Sequence, residues 1–98
     1  MKPAYVYILS NKYRSTLYIG VTNNLRIRLE QYATGFGSKF AAKYNLTDLI
    51  YFERCDGKEI AIRREKQLKK YSRERKFELI KSLNPTLRDL KEELMRMD

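Results

Sequence analysis

The chain predicts an α+β domain: a small, mainly antiparallel three-stranded sheet flanked by helices. Two stretches near the N-terminus read as strands with period-two faces, and one in the middle has the continuous apolar run Leu49-Ile50-Tyr51-Phe52 of a buried strand. The segments after each break carry apolar residues at helical spacing. Ninety-eight residues allow one compact domain, 1–98, near the size at which a single core becomes adequate without staples or metals.

Ala4 to Ser10 is rich in strand-forming residues, Asn11 to Thr16 is turn material, and Leu17 to Val21 returns as a second strand, an antiparallel hairpin. Period two puts Tyr5, Tyr7 and Leu9 on one face and Val6 and Ile8 on the other, with Tyr18 and Gly20 together on one side of the second strand. Gly20 leaves room for a backbone or a phosphate, although glycine in a strand more often marks a bulge or a close packing contact. Thr22, Asn23 and Asn24 offer N-caps for a helix carrying Leu25, Leu29 and Tyr32, which ends at the Gly35-Phe36-Gly37 break. Ser38 to Tyr44 is expected to add a short helical turn, and Thr47 to Arg54 a well-buried third strand. Asp56 and Glu59 have capping-box spacing for a helix from about Lys58 to Tyr71, and Ser72 is placed to cap the next, Arg73 to Leu83, which Asn84-Pro85 stops. Thr86 with Asp89 would cap a final helix over about 86–97, bearing Leu87, Leu90 and Leu94.

The composition, 43% hydrophobic and 34% charged, is that of a soluble globular protein. No apolar run approaches the roughly 20 residues of a membrane span, and Met1-Lys2-Pro3-Ala4-Tyr5 lacks a signal-peptide stretch, so a cytoplasmic location and no membrane partner are expected. Cys55 is a lone cysteine, read as strand-end packing. The absence of histidine removes Ser-His and Cys-His dyads and imidazole-based zinc sites, leaving tyrosine, lysine and carboxylates for acid–base chemistry. The net charge is +9, and residues 58–81 hold ten basic and four acidic side chains. Such a stripe attracts polyanions, nucleic acid first, and a solvated helix face explains the charge equally well. An anionic lipid surface fits least, because the stretch around Lys66-Gln67-Leu68-Lys69-Lys70 has little apolar face.

Two charged residues occupy awkward positions. At 100° per residue Glu65 falls between Ala61 and Leu68, in the stripe that should face the sheet, where an ionised carboxylate needs an arginine partner or a metal ion. Arg28 stands within about one helical step of the Leu25, Leu29 and Tyr32 stripe, while Arg26 points elsewhere. It either binds a phosphate through its planar donors or pairs with Glu65. Tyr32, four residues on, is its neighbour on the helix surface. Tyr5, Tyr7 and Tyr18 would each alone be aromatic core, but their grouping beside a cation suggests a phosphate site.

These residues also form a pattern. Tyr5-Val6-Tyr7, Tyr18-Ile19-Gly20, the Leu25 to Tyr32 helix with Arg28, and Ala61-Ile62-Arg63-Arg64-Glu65 together resemble the GIY-YIG nuclease superfamily, in particular small stand-alone members related to the excinuclease C catalytic domain. The resemblance runs from about Tyr5 to Leu90. The first motif begins with Tyr5 in place of glycine, Tyr32 stands where many small members have histidine, and Val21 replaces a lysine of the excinuclease branch.

The resemblance implies a metal-dependent endonuclease hydrolysing nucleic-acid phosphodiesters, with one Mg²⁺ or Mn²⁺ bound by Glu65 and waters. Arg28 would stabilise charge on the phosphoryl oxygens, Tyr7 or Tyr18 would orient or deprotonate the attacking water, Tyr32 would hold a phosphate oxygen or Arg28, and Gly20 and Asn84 would support the site. Arg63, Arg64, Lys66, Lys69, Lys70, Arg73 and Lys76 are the expected nucleic-acid contacts. The expected partner is DNA, cut by structure in repair or recombination, and the protein is expected to be a monomer or weak dimer. A non-catalytic nucleic-acid-binding module on the same fold is the alternative.

Overall fold

The computed structural model describes residues 2–35 and 39–96. Three antiparallel strands, β1 (Ala4–Ser10), β2 (Leu17–Thr22) and β3 (Asp48–Cys55), form one sheet in the order β2-β1-β3, with β1 central. The helices are α1 (Leu25–Ala33), α2 (Lys39–Lys43), α3 (Lys58–Lys69), α4 (Arg73–Leu83) and α5 (Lys91–Arg96). Residues 36–38, where the Gly35-Phe36-Gly37 break and the start of the second helix were expected, lie outside the described residues.

The alternation along β1 sends side chains into two cores. Ala4, Val6 and Ile8 join Ile19 of β2, Ile50, Tyr51 and Cys55 of β3, Ala61 and Leu68 of α3, and Ile80 of α4. Tyr7 and Leu9 join Leu25 and Leu29 of α1, Ala41 of α2, Leu46, Leu49, and Leu90 and Leu94 at α5. Both faces of the sheet are therefore covered, one by α3 and α4 and the other by α1, α2 and α5. Cys55 is free, buried at the end of β3, and burial raises its thiol pKa.

β1 and β3 lose register between Ile8 and Leu9: Ile8 faces Tyr51 and Leu9 faces Leu49, so Ile50 has no partner on β1. This bulge turns both Ile50 and Tyr51 into the α3/α4 core. It also presents the Ile50 carbonyl to Asn84 Nδ2, at 3.0 Å. Asn84 is buried, and it also donates to the Arg88 carbonyl at 2.7 Å and accepts from the Arg88 amide at 3.3 Å. Its hydrogen bonds fasten the end of α4 to β3. The support expected of Asn84 is thus given through backbone groups, at the junction of α4, the Arg88 segment and β3.

Two expected caps are also different. Gly57, at φ 114, is the N-cap of α3 and makes no side-chain cap bond, while Asp56 pairs with Arg54 at 3.4 Å. Asp89 does not start a helix at Thr86: its Oδ1 accepts from the Leu49 amide at 3.0 Å and from the Lys91 amide at 3.1 Å, so α5 begins only at Lys91. A carboxylate that can satisfy the start of β3 and the start of α5 together stabilises more groups than a local capping box would. Arg14, at φ 59 in the hairpin loop, reaches Asp48 at 2.7 Å and the Leu87 carbonyl at 2.9 Å, and so ties that loop to both segments.

Candidate active site

The site starts from the cross-strand pair Tyr7 and Gly20. A Cβ on Gly20 would lie 2.4 Å from Tyr7 Oη and 2.5 Å from its Cζ, so the Tyr7 ring lies across β2 where a side chain is missing. Glycine here serves close packing, and what approaches it is the phenol. Tyr18, two residues before Gly20, packs on the same core face.

α1 brings the remaining groups. Asn24 Oδ1 accepts from the Ile27 amide at 3.1 Å, capping the helix where the sequence placed a cap. Leu25 and Leu29 anchor it on the sheet, and Tyr32, one turn after Arg28, meets both hairpin tyrosines. Tyr32 Oη lies 2.9 Å from Tyr7 Oη, and the Tyr32 ring packs edge-on at 6.3 Å from Tyr7 and 6.4 Å from Tyr18. The Arg28 guanidinium lies 6.0 Å from the Tyr32 ring, and its Nη1 donates to Gln31 Oε1 at 3.2 Å. Arg28 Nε is buried with no acceptor among the described residues. Arg26, as expected, points elsewhere, donating to the Leu94 carbonyl at 3.2 Å. From Tyr18 the aromatic contacts continue outward to Phe40 at 5.8 Å and from Phe40 to Tyr44 at 4.6 Å. Sequence reasoning missed that pair, although two aromatics four residues apart, each preceded by a lysine, were a signal for it.

Burial raises the phenol pKa of Tyr7, opposed by the hydrogen bond to Tyr32 and by the nearby Arg28 charge. Tyr32 is pushed well above the phenol range, first by burial and then by its bond to Tyr7. Tyr51, on the other face, is raised likewise by burial and by its bond to Glu53. In alkaline ultraviolet titration, Tyr7, Tyr32 and Tyr51 are expected to ionise above the usual phenol range. An unfolded chain releases these protons near the usual phenol value of about 10 while the native state keeps them, so stability present below pH ~10 should fall as pH rises beyond it. Ionisation of these three at the usual phenol value in the folded protein would contradict these shifts.

Glu65 comes from the other layer. α3 lies chiefly over β2 and β1. Its Ala61 and Leu68 face the sheet, and Arg64 leans toward β3, where it meets Glu53 at 2.6 Å. One residue further round the helix, Glu65 lies on the other side of the Ala61 and Leu68 stripe from Arg64, in the layer that packs on the opposite sheet face from the three tyrosines. Its side chain is 20% exposed and pairs with Lys69 at 3.5 Å. Among the described residues Glu65 makes no ion pair with Arg28, so the single salt bridge considered as an alternative for both is not formed. No group of three or more metal-ligating side chains occurs among the described residues. One part-exposed carboxylate with a loose, solvated partner fits Mg²⁺ or Mn²⁺, whose remaining positions are filled by waters and substrate oxygens.

The basic stripe divides. Arg63, Lys66, Lys70 and Lys76 form no ion pair among the described residues, and the first three line an open groove with Tyr71 and Arg75. Arg64 is instead committed to Glu53, a bond that raises its pKa further, and to Gln67 at 2.7 Å. Arg73 Nη2 donates to the Arg14 and Ser15 carbonyls, both at 3.0 Å. Both guanidiniums thus have acceptors within the fold, and Arg64 lines the same groove as Arg63, Lys66 and Lys70. Lys69 remains 56% exposed in its pair with Glu65.

Residues 3–78 match the model for the GIY-YIG catalytic domain. A UPF0213 protein of Clostridium perfringens is 42% identical over 78 residues, covering 80% of this chain and 83% of the relative. A UPF0213 protein of Syntrophus aciditrophicus is 38% identical over 86 residues, covering 87% and 97%. The solution NMR structure of a UPF0213 protein from Bacillus halodurans superposes with a TM-score of 0.56 at 30% identity, over 86% of this chain and 88% of that one. With its tyrosines, glycine and arginine assembled at the hairpin and the matching span covering most of its length, the chain belongs to the GIY-YIG family.

Proposed function

We propose that the protein is a divalent-metal-dependent endonuclease that hydrolyses nucleic-acid phosphodiesters, with structure-selective cleavage of DNA in repair or recombination as its setting. The observation that carries this reading is Arg28: a buried guanidinium nitrogen without an acceptor, beside three tyrosines. A buried donor left unmatched costs about 1–3 kcal/mol, which a phosphate oxygen would return. The cost is tolerated if the missing acceptor arrives with the substrate.

The residues divide the work by exposure and bonding. Arg28 binds the scissile phosphate and stabilises the charge that grows on its oxygens. Tyr7 is buried and bonded to Tyr32, so this pair holds the wall of the site and aims the Tyr32 hydroxyl. Tyr18, half-buried at the rim, is the phenol we assign to orient the attacking water, whose proton passes to solvent as the water attacks. Glu65 would hold Mg²⁺ or Mn²⁺, which when bound would supply Lewis-acid stabilisation of the leaving oxygen. Arg63, Lys66, Lys69, Lys70 and Lys76 add charge that draws the substrate without reading its sequence.

The test is cleavage of labelled linear, flap and four-way-junction DNA with Mg²⁺ or Mn²⁺, comparing the natural protein with Glu65→Ala. Loss of cleavage by about a thousandfold or more is expected, from the several kcal/mol a metal contributes. Salt-sensitive DNA binding by both proteins with no cleavage by either would replace the enzyme with a non-catalytic binding module. Equal cleavage of linear and branched duplexes would remove the preference for branched substrates.

A further inference from the structure

We propose that Phe40 and Tyr44 form a stacking platform for an unpaired nucleobase next to the scissile phosphate. This makes flaps, gaps or single strands, rather than uninterrupted duplex, the preferred substrate. The inference deepens the nuclease reading and rests on it for the position of the phosphate.

Both rings stand on one side of α2, because Phe40 and Tyr44 are four residues apart and the Tyr44 amide still bonds to the Phe40 carbonyl, at 3.1 Å. The helix stops just beyond, at Asn45 with φ 55, where the Leu46 amide returns to the Ala41 carbonyl at 2.9 Å. Ala41 and Leu46 enter the core, which holds α2 against the sheet and leaves the rings outside. Phe40 is 42% exposed and Tyr44 40% exposed.

Isolated exposed aromatics are ordinary, but these two continue an aromatic run that begins inside the site. Tyr7 and Tyr18 both touch Tyr32, Tyr18 meets Phe40, and Phe40 meets Tyr44. A chain entering at Arg28 and leaving over Tyr18 therefore crosses these rings next. Lys43 Nζ lies 5.4 Å from the Tyr44 ring centre, and Lys39 is exposed at the start of the same helix. Apolar ring faces flanked by ammonium groups match the two chemistries of a single strand, flat bases and phosphates. A base inside a paired helix is stacked on both sides and cannot present a face to a protein ring, so the platform discriminates by pairing and not by sequence.

The experiment measures equilibrium binding without divalent metal, so that nothing is cut, using a flap oligonucleotide with 2-aminopurine as its first unpaired base and a blunt duplex of equal length. The natural protein should bind the flap more tightly, by about tenfold, and quench the 2-aminopurine. Phe40→Leu, which keeps apolar volume against Tyr18, and the more superficial Tyr44→Ala should each weaken flap binding by about five- to tenfold and abolish most of the quench. Duplex binding should be unchanged. Equal losses on both probes, no loss on either, or tighter duplex binding by the natural protein would overturn the platform. Should Phe40→Leu lower the thermal midpoint, Tyr44→Ala decides. Ring-dependent flap binding by a protein that cuts no substrate would uphold the platform while refuting the nuclease.

Discussion

Arg28→Ala is expected to lower kcat/KM by about 10²–10³-fold, the loss typical of removing a donor aimed at transition-state charge, while leaving the thermal midpoint unchanged or raised. The second half of that expectation follows from the orphaned Nε. The guanidinium's bond to Gln31 runs from Nη1 on the exposed side, so the folded protein gains little from it and carries the desolvation of an unmatched donor. Removing such a group relieves the native state even as it disables the site, the usual opposition between stability and activity. Arg28→Lys should recover little activity, since an ammonium on a flexible stem does not reproduce two fixed donors on a phosphate. Single-turnover cleavage and thermal unfolding, measured on the same preparations, check this. Parallel losses of activity and stability would make Arg28 a structural residue.

Gly20→Ala should damage both properties. The new Cβ would stand 2.4 Å from Tyr7 Oη and 2.5 Å from Cζ, and the Tyr7 ring is only 1% exposed, packed among Leu25, Leu29 and its other neighbours. The ring has to shift, and the 2.9 Å contact with Tyr32 breaks with it. Overpacking of this kind costs about 1–3 kcal/mol, and in a domain of this size each kcal/mol lowers the midpoint by about 4–8 °C. Because the clash includes Cζ as well as the hydroxyl, Tyr7→Phe in the Gly20→Ala background should rescue stability only partly, whereas Tyr7→Leu, with no ring over β2, should rescue more. Neither double variant should recover cleavage. An undiminished midpoint in Gly20→Ala would show that the ring has another place to go.

The contrast between Arg28 and Arg64 shows how far the sequence could be read. Arg28 was legible because Leu25, Leu29 and Tyr32 define a helix face, and a cation near that face needs a partner wherever the helix docks. Arg64 is a comparable cation one residue before Glu65, and nothing local marks it as the partner of Glu53, eleven residues earlier on β3. Asn84 was legible as a helix stop, yet its bond to Ile50 depends on a bulge that exists only once β1 and β3 pair. Asp89 has capping-box spacing and serves Leu49 instead, since the fold brings the segment before α5 beside the start of β3.

The sequence by itself therefore determined the α+β class, the three strands and which residues of the hairpin share a sheet face, while the faces of β3 waited on the bulge. It also determined the family motifs, and with them Tyr7, Tyr18, Gly20, Arg28 and Tyr32. The strands, helices and hairpin faces follow from periods of two and 3.6 residues and from short-range caps, which act within a few positions along the chain, whereas the site residues follow from the motif resemblance. Tertiary structure alone decided that Tyr7 lies over Gly20 and bonds Tyr32, that Glu65 stays clear of Arg28, and that Phe40 extends the tyrosine cluster. Those outcomes depend on distances between segments far apart in sequence, set when two cores close on opposite faces of one sheet, and no local pattern encodes such distances.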